Sequence, residues 1–169
     1  RTFLFPEPDL KSPTLDVLSL TSRVAVSGET NGFAELEQGG WVFMKHLAGL
    51  DDVAPDHVAT ARKLTGVPYL WGGKTSLGLD CSGLVQIALA AAGFAAPRDS
   101  DQQGASLGRA VPEGEALRSG DLVFFPGHVG IMTGPERLIH ANAFHMTVTE
   151  EPLADVVGRG ARITGVRRL

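Results

Sequence analysis

Residues Leu84–Ala92 read LVQIALAAA, apolar on nearly every side. A helix without a polar face has to be covered all round by the rest of a core. The spacing therefore predicts a buried helix, with Asp80 able to cap its start and Gly93 suited to its end. Asp56–Leu64 has apolar residues at helical spacing behind an Asp that can cap the first turn, and Gly66-Val67-Pro68 ends it. Asp99–Leu107 is a third, short helix. Strand-like runs follow at Asp121–Phe125, Val129–Thr133, Arg137–His140 and Met146–Thr149. Leu153–Val157 is a last short helix and Ile163–Arg168 a closing strand. Helices first and an antiparallel meander after is an α+β pattern.

The first 50 residues have a different character. Thr2–Phe5, Ser22–Ser27, Phe33–Glu37 and Trp41–Lys45 are short alternating runs, separated by Pro6-Glu7-Pro8, Gly28–Gly32 and Gln38-Gly39-Gly40. Short strands with turns every 8–12 residues predict a small β barrel. Asp51–Pro55 is an acidic, proline-containing connector. The expected organisation is a barrel over residues 1–50 and an α+β domain over 51–169. A length of 169 residues accommodates a small domain and a medium one.

Composition removes several classes of function. The net charge of −4 and pI of about 5.7 argue against a nucleic-acid binder with a basic face. No apolar run approaches the ~18 residues of a membrane span. A single cysteine excludes an internal disulfide framework and any cysteine-rich metal site.

That cysteine, Cys81, falls where a glycine-rich loop, Tyr69–Leu79, meets the apolar helix. Unpaired N–H groups and a partial positive charge at a helix N-terminus favour thiolate over thiol. Gly72, Gly73, Gly78 and Gly83 around it allow another backbone or a ligand to come close. A thiolate nucleophile needs a base, and the base an orienting partner. His128, in PGHVG, is the candidate base. His140 and Asn142, in LIHAN, share one strand face, and either could hold the far nitrogen of His128. His46, His57 and His145 read as surface or satisfied residues. His128, His140 and His145 match no zinc spacing, so no metal is expected. The loop lacks both common phosphate-binding patterns, and no cofactor is expected.

The string PYLWGGKTSLGLDCSGLVQ at Pro68–Gln86 resembles the signature of the NlpC/P60 cysteine peptidases. PRDSD at Pro97–Asp101, SGDLVFF at Ser119–Phe125, GHVGIM at Gly127–Met132 and LIHAN at Leu138–Asn142 agree in order. The match covers about residues 55–169. The resemblance implies a papain-like catalytic domain, helices packed on an antiparallel sheet, that cleaves bacterial cell-wall stem peptides after γ-D-glutamate. The first third is similar to a bacterial SH3 (SH3b) module, through Phe33–Leu36 and Gly39–Val42.

Carried over on these motifs, Cys81 is the nucleophile, His128 the base and His140 its orienting partner. Tyr69 lines the oxyanion site. Trp71, Asp80 and Ser82 flank the bound γ-D-Glu. Asp99 and Ser100 resemble the subgroup that requires a free N-terminal L-Ala, where a carboxylate pairs with the α-ammonium. Relatives of that subgroup close the pocket partly through an SH3b tyrosine. The single tyrosine here is Tyr69, so another residue, or a further SH3b module upstream of Arg1, would take that part. The expected partners are peptides derived from peptidoglycan, in muropeptide turnover. Specificity for freed peptides and a lone reduced thiol point to the cytoplasm, with periplasm or secretion the alternative. Two other classes stay open: an amidase or acyltransferase of related fold, and a wall-binding module whose catalytic domain has decayed.

Overall fold

The computed structural model describes all residues, Arg1–Leu169. The chain divides into two compact units, Arg1–Val53 and Ala54–Leu169.

The first unit holds five short strands in two small sheets. β1 (Thr2–Leu4) pairs with β2 (Asp16–Leu18), a strand the sequence reading did not anticipate. β3 (Val26–Thr30), β4 (Phe33–Leu36) and β5 (Trp41–Phe43) form an antiparallel triplet. The β3–β4 turn is Asn31-Gly32, both at positive φ, as the tightest hairpins require. Phe5 bridges to Trp41 and links the two sheets. Phe33, Ala34, Leu36 and Val42 are the buried centre, and Phe5, Phe33 and Phe43 stack edge to face with centroids 5.6 Å apart. A 3₁₀ turn, Met44–His46, follows.

The second unit begins with α1 (His57–Arg62), whose N-cap Asp56 accepts a hydrogen bond from the Val58 N–H at 2.8 Å. The glycine-rich loop carries a two-residue hairpin, β6 (Lys74–Thr75) and β7 (Gly78–Leu79). It leads into α2 (Cys81–Ala91), buried on nearly all sides as its composition demands. α3 (Ser100–Ser106) follows, then β8 (Arg109–Ala110), β9 (Leu122–Phe125), β10 (His128–Met132), β11 (Arg137–Asn142), β12 (Thr147–Pro152), α4 (Leu153–Gly158) and β13 (Gly165–Arg168). The sheet order is β12-β11-β10-β9-β13-β8, antiparallel throughout.

Register assigns the two faces. Val123, Phe125, Met132 and Leu138 lie on one face and pack with Leu153 and Val156 of α4. Leu122, Phe124, Val129, Ile131, Ile139 and Ala141 lie on the other, where α2 packs against β10 and β11. His128 and His140 belong to the α4 face by the same alternation. Cys81 is the first residue of α2, the helix on the opposite face.

Candidate active site

Asp80 builds the mouth of α2. Its Oδ1 accepts from the Gly83 N–H at 2.7 Å, and its Oδ2 from the Gly72 N–H at 2.9 Å. Arg98 donates to both oxygens, at 3.0 and 2.5 Å, and also to Ser82 Oγ at 2.9 Å. Burial alone would raise the Asp80 pKa. The hydrogen bonds and charge of Arg98 and the two N–H groups outweigh it and hold the carboxyl below its ordinary value. Asp80 and Ser82 are thus tied into the chain itself. The glycines serve the same junction: a Cβ on Gly83 would sit 2.3 Å from the Gly73 carbonyl oxygen. What they let come close is the loop's own backbone.

Cys81 is 8% exposed. The backbone N–H groups of Val129, Ser82 and Cys81 itself favour its anion, Val129 the most. Burial dominates and, with the Asp80 charge, pushes the thiol pKa up. The expectation of a thiolate stabilised by the helix end is therefore corrected for the resting protein. Three N–H groups do favour the anion, but desolvation costs it more.

Val129 follows His128, so the backbone at the start of β10 runs past the sulfur. His128 Nε2 lies 2.7 Å from His140 Nδ1. His140 Nε2 lies 2.7 Å from Glu151 Oε1. Arg159 forks onto both Glu151 oxygens, at 2.7 and 2.9 Å, and His145 Nε2 reaches Oε2 at 3.4 Å. His140 is therefore the residue on His128. Asn142 points elsewhere, accepting from the His145 N–H at 2.8 Å. Burial and the neighbouring His140 push the His128 pKa down to about 4. Burial also lowers His140, against the pull of Glu151. Burial opposes ionisation of Glu151, but Arg159, His140 and His145 hold it at about 2. Both shifts favour a thiol and a neutral imidazole at rest, the protonation states that general-base catalysis needs.

Tyr69 is half-buried, within the field of Cys81 and Asp80, and its hydroxyl makes no hydrogen bond within the chain. Trp71 is 85% exposed, so it is not part of the core. Asp99 occupies the N-cap position of α3, yet its side chain caps nothing and stands exposed. Ser100 opens that helix and lines a cavity of about 630 Å³ that also reaches Gly127, next to His128. His46 bonds Thr2 Oγ1 at 2.8 Å and His57 the Gly120 carbonyl at 3.1 Å. No group of His, Cys, Asp and Glu side chains is arranged to hold a metal ion.

Sequence reasoning missed Glu151, Arg159 and Arg98, and it took His145 for a satisfied bystander. Only register could have found Glu151. Thr149 stands opposite His140, so Glu151 is two residues along on the same face.

The model of the NlpC/P60 family matches residues 66–162. The chain belongs to the NlpC/P60 family. A gamma-D-glutamyl-L-lysine dipeptidyl-peptidase of Bacillus subtilis is 36% identical over 156 residues, 82% of this chain and 50% of that protein. The bifunctional muramidase/DL-endopeptidase CwlT of the same organism is 39% identical over 108 residues, 59% of this chain and 32% of its own. The crystal structure of an NlpC/P60 family protein from Bacillus cereus superposes with a TM-score of 0.80 at 29% identity, covering 99% of this chain and 60% of that one. The chain thus spans about half the length, or less, of these curated relatives.

Proposed function

We propose that this NlpC/P60 protein is a cysteine peptidase that hydrolyses the γ-D-glutamyl–diamino acid bond of cell-wall stem peptides bearing a free N-terminal L-Ala. The observation that carries this reading is the line Glu151–His140–His128, hydrogen-bonded at 2.7 Å at each step, whose last member directly precedes Val129, the residue whose N–H favours the Cys81 thiolate. The names of the relatives supply the bond class.

His128 Nε2 is occupied by His140, so Nδ1 takes the thiol proton as the sulfur attacks the γ-carbonyl carbon. The Tyr69 hydroxyl and backbone N–H groups at the α2 end hold the oxyanion. The C–N bond breaks as His128 returns the proton to the leaving amine. Water, giving a proton to His128, then attacks the thioester, and the proton passes to the departing sulfur. The peptide acid leaves and the thiol is restored.

Asp99 is the counter-ion for the substrate ammonium: its carboxylate is exposed and caps no helix N–H, so a cation can reach it. Ser100 lies beside it, and Trp71 and the Asp80–Ser82 end of α2 flank the γ-D-Glu. Preference for freed peptides would serve muropeptide turnover, and we assign it to the cytoplasm. Residues 1–53 we read as the SH3-like module, a reading supported by their short antiparallel strands. The test is hydrolysis of L-Ala-γ-D-Glu-diaminopimelate against its N-acylated form. Cleavage of the first alone is expected. Equal rates would remove the amine specificity, and full activity of Cys81→Ala would remove the mechanism.

A further inference from the structure

Glu151 has no role in the two-residue chemistry of sulfur and base, yet it is 7% exposed and carries four contacts from cationic or titratable groups. A carboxylate held at this depth by a bidentate arginine can only accept hydrogen bonds. The groups facing it are His140 from β11, His145 from the turn before β12, and Arg159 just after α4, with Asp155 acting on Arg159 in turn.

An anion at 2.7 Å from His140 Nε2 requires the proton on that nitrogen. A neutral His140 then presents a bare Nδ1. At 2.7 Å from it, His128 Nε2 must be the donor. The proton inventory of a neutral imidazole then leaves Nδ1 of His128 bare. We propose that Glu151, clamped by Arg159, is a positioning residue that sets the tautomers of both histidines, and so keeps the His128 nitrogen available to Cys81 in its proton-accepting form. This rests on the cysteine peptidase reading above. It extends the site by two residues that never touch substrate.

The clamp also explains why a carboxylate is needed. Arg159 offers only donors, to both Glu151 oxygens. An amide there has one acceptor and one donor group. It either sets an N–H against Arg159 or turns one toward His140, and the second arrangement favours the opposite tautomer.

The test uses the intact chain with ¹⁵N-labelled histidine. Two-bond ¹H–¹⁵N spectra at neutral pH are expected to show protonated Nε2 and bare Nδ1 on both His128 and His140. Glu151→Gln is expected to shift both toward a tautomer mixture. It should also lower kcat on L-Ala-γ-D-Glu-diaminopimelate by tenfold to a hundredfold, with KM changed less than twofold. Arg159→Lys, which keeps the charge but loses the fork, should fall between the two. Wild-type tautomers of the other kind, or tautomers unmoved in Glu151→Gln, would overturn the relay even if the peptide is cleaved. A wild type that leaves the peptide intact while showing the stated tautomers would overturn the substrate reading and leave the relay standing. Should Glu151→Gln not fold, the wild-type spectrum and Arg159→Lys still decide.

Discussion

Arg98 lies against Asp80 with two guanidinium nitrogens on its two oxygens, at 3.0 and 2.5 Å, and through it holds the first turn of the helix that begins with Cys81. The pair is mostly buried, so removing one partner leaves a charge without an answer. Arg98→Ala is expected to destabilise the protein by about 2 kcal/mol and to lower activity as the α2 end loosens. Arg98→Lys recovers only part, since an ammonium cannot fork. Urea unfolding followed by circular dichroism checks it, and an unchanged midpoint for Arg98→Ala would contradict it.

Acid acts on this fold in one direction. Because the folded protein favours neutral His128, the stability this residue brings is whole above the unfolded value of about 6.5 and is lost as pH falls through about 4. Its share is at most about 3 kcal/mol. Glu151, held near 2, adds a contribution that is whole above about 4.5 and lost below it. Thermal unfolding from pH 8 to 4 should show the midpoint falling below pH 6.5. In His128→Gln the slope between 6.5 and 4 should be shallower.

The thiol of Cys81 should be un-ionised at neutral pH. Burial pushes its pKa above the usual value, so thiolate ultraviolet absorbance, referenced to Cys81→Ser, should rise only above about pH 8.5. The acid limb of kcat/KM should then report His128 and fall near pH 4. Full thiolate absorbance at pH 6 would show an ion pair already formed at rest.

Gly83→Ala places a carbon 2.3 Å from a backbone oxygen, where no side chain can yield. The expected cost is about 1–3 kcal/mol or more, with loss of activity because Asp80, Cys81 and the loop shift together. Differential scanning calorimetry with peptide hydrolysis measures both effects, and a variant equal to wild type in each would refute the close approach.

Asp99→Asn should raise KM for the free-amine peptide tenfold or more and leave the N-acylated peptide unaffected, because only the charged ammonium loses its partner. Steady-state kinetics on the two peptides separates this from a general loss of fold.

The parts of the site that were legible in the sequence were those fixed by short-range rules. Asp80 ahead of an apolar run announced α2, and Asp56 announced α1, because capping is a local hydrogen bond. PGHVG and LIHAN put two histidines in neighbouring strands. Glu151 was not legible. EEP at the end of a strand looks like a solvated terminus, and only the pairing of β11 with β12 turns one of the two glutamates inward. The direction of the Cys81 shift was misjudged for a related reason: the helix end is visible in sequence, but the depth of burial that outweighs it is not. β2 and β8 are three and two residues long, too short for any alternation to register.

The outer side of β12 is laced to the segment leading into Tyr69. Gly66 N–H donates to Val148 O, Val148 N–H to Val67 O and Tyr69 N–H to Met146 O, at 2.9 Å each. Beyond them the rim carries Glu150 and Pro152, a charge and a residue with no amide hydrogen. At the far side only the two-residue β8 stands. Neither margin offers a foreign strand a long ladder to extend, so this unit can be kept concentrated with little tendency to assemble into fibres.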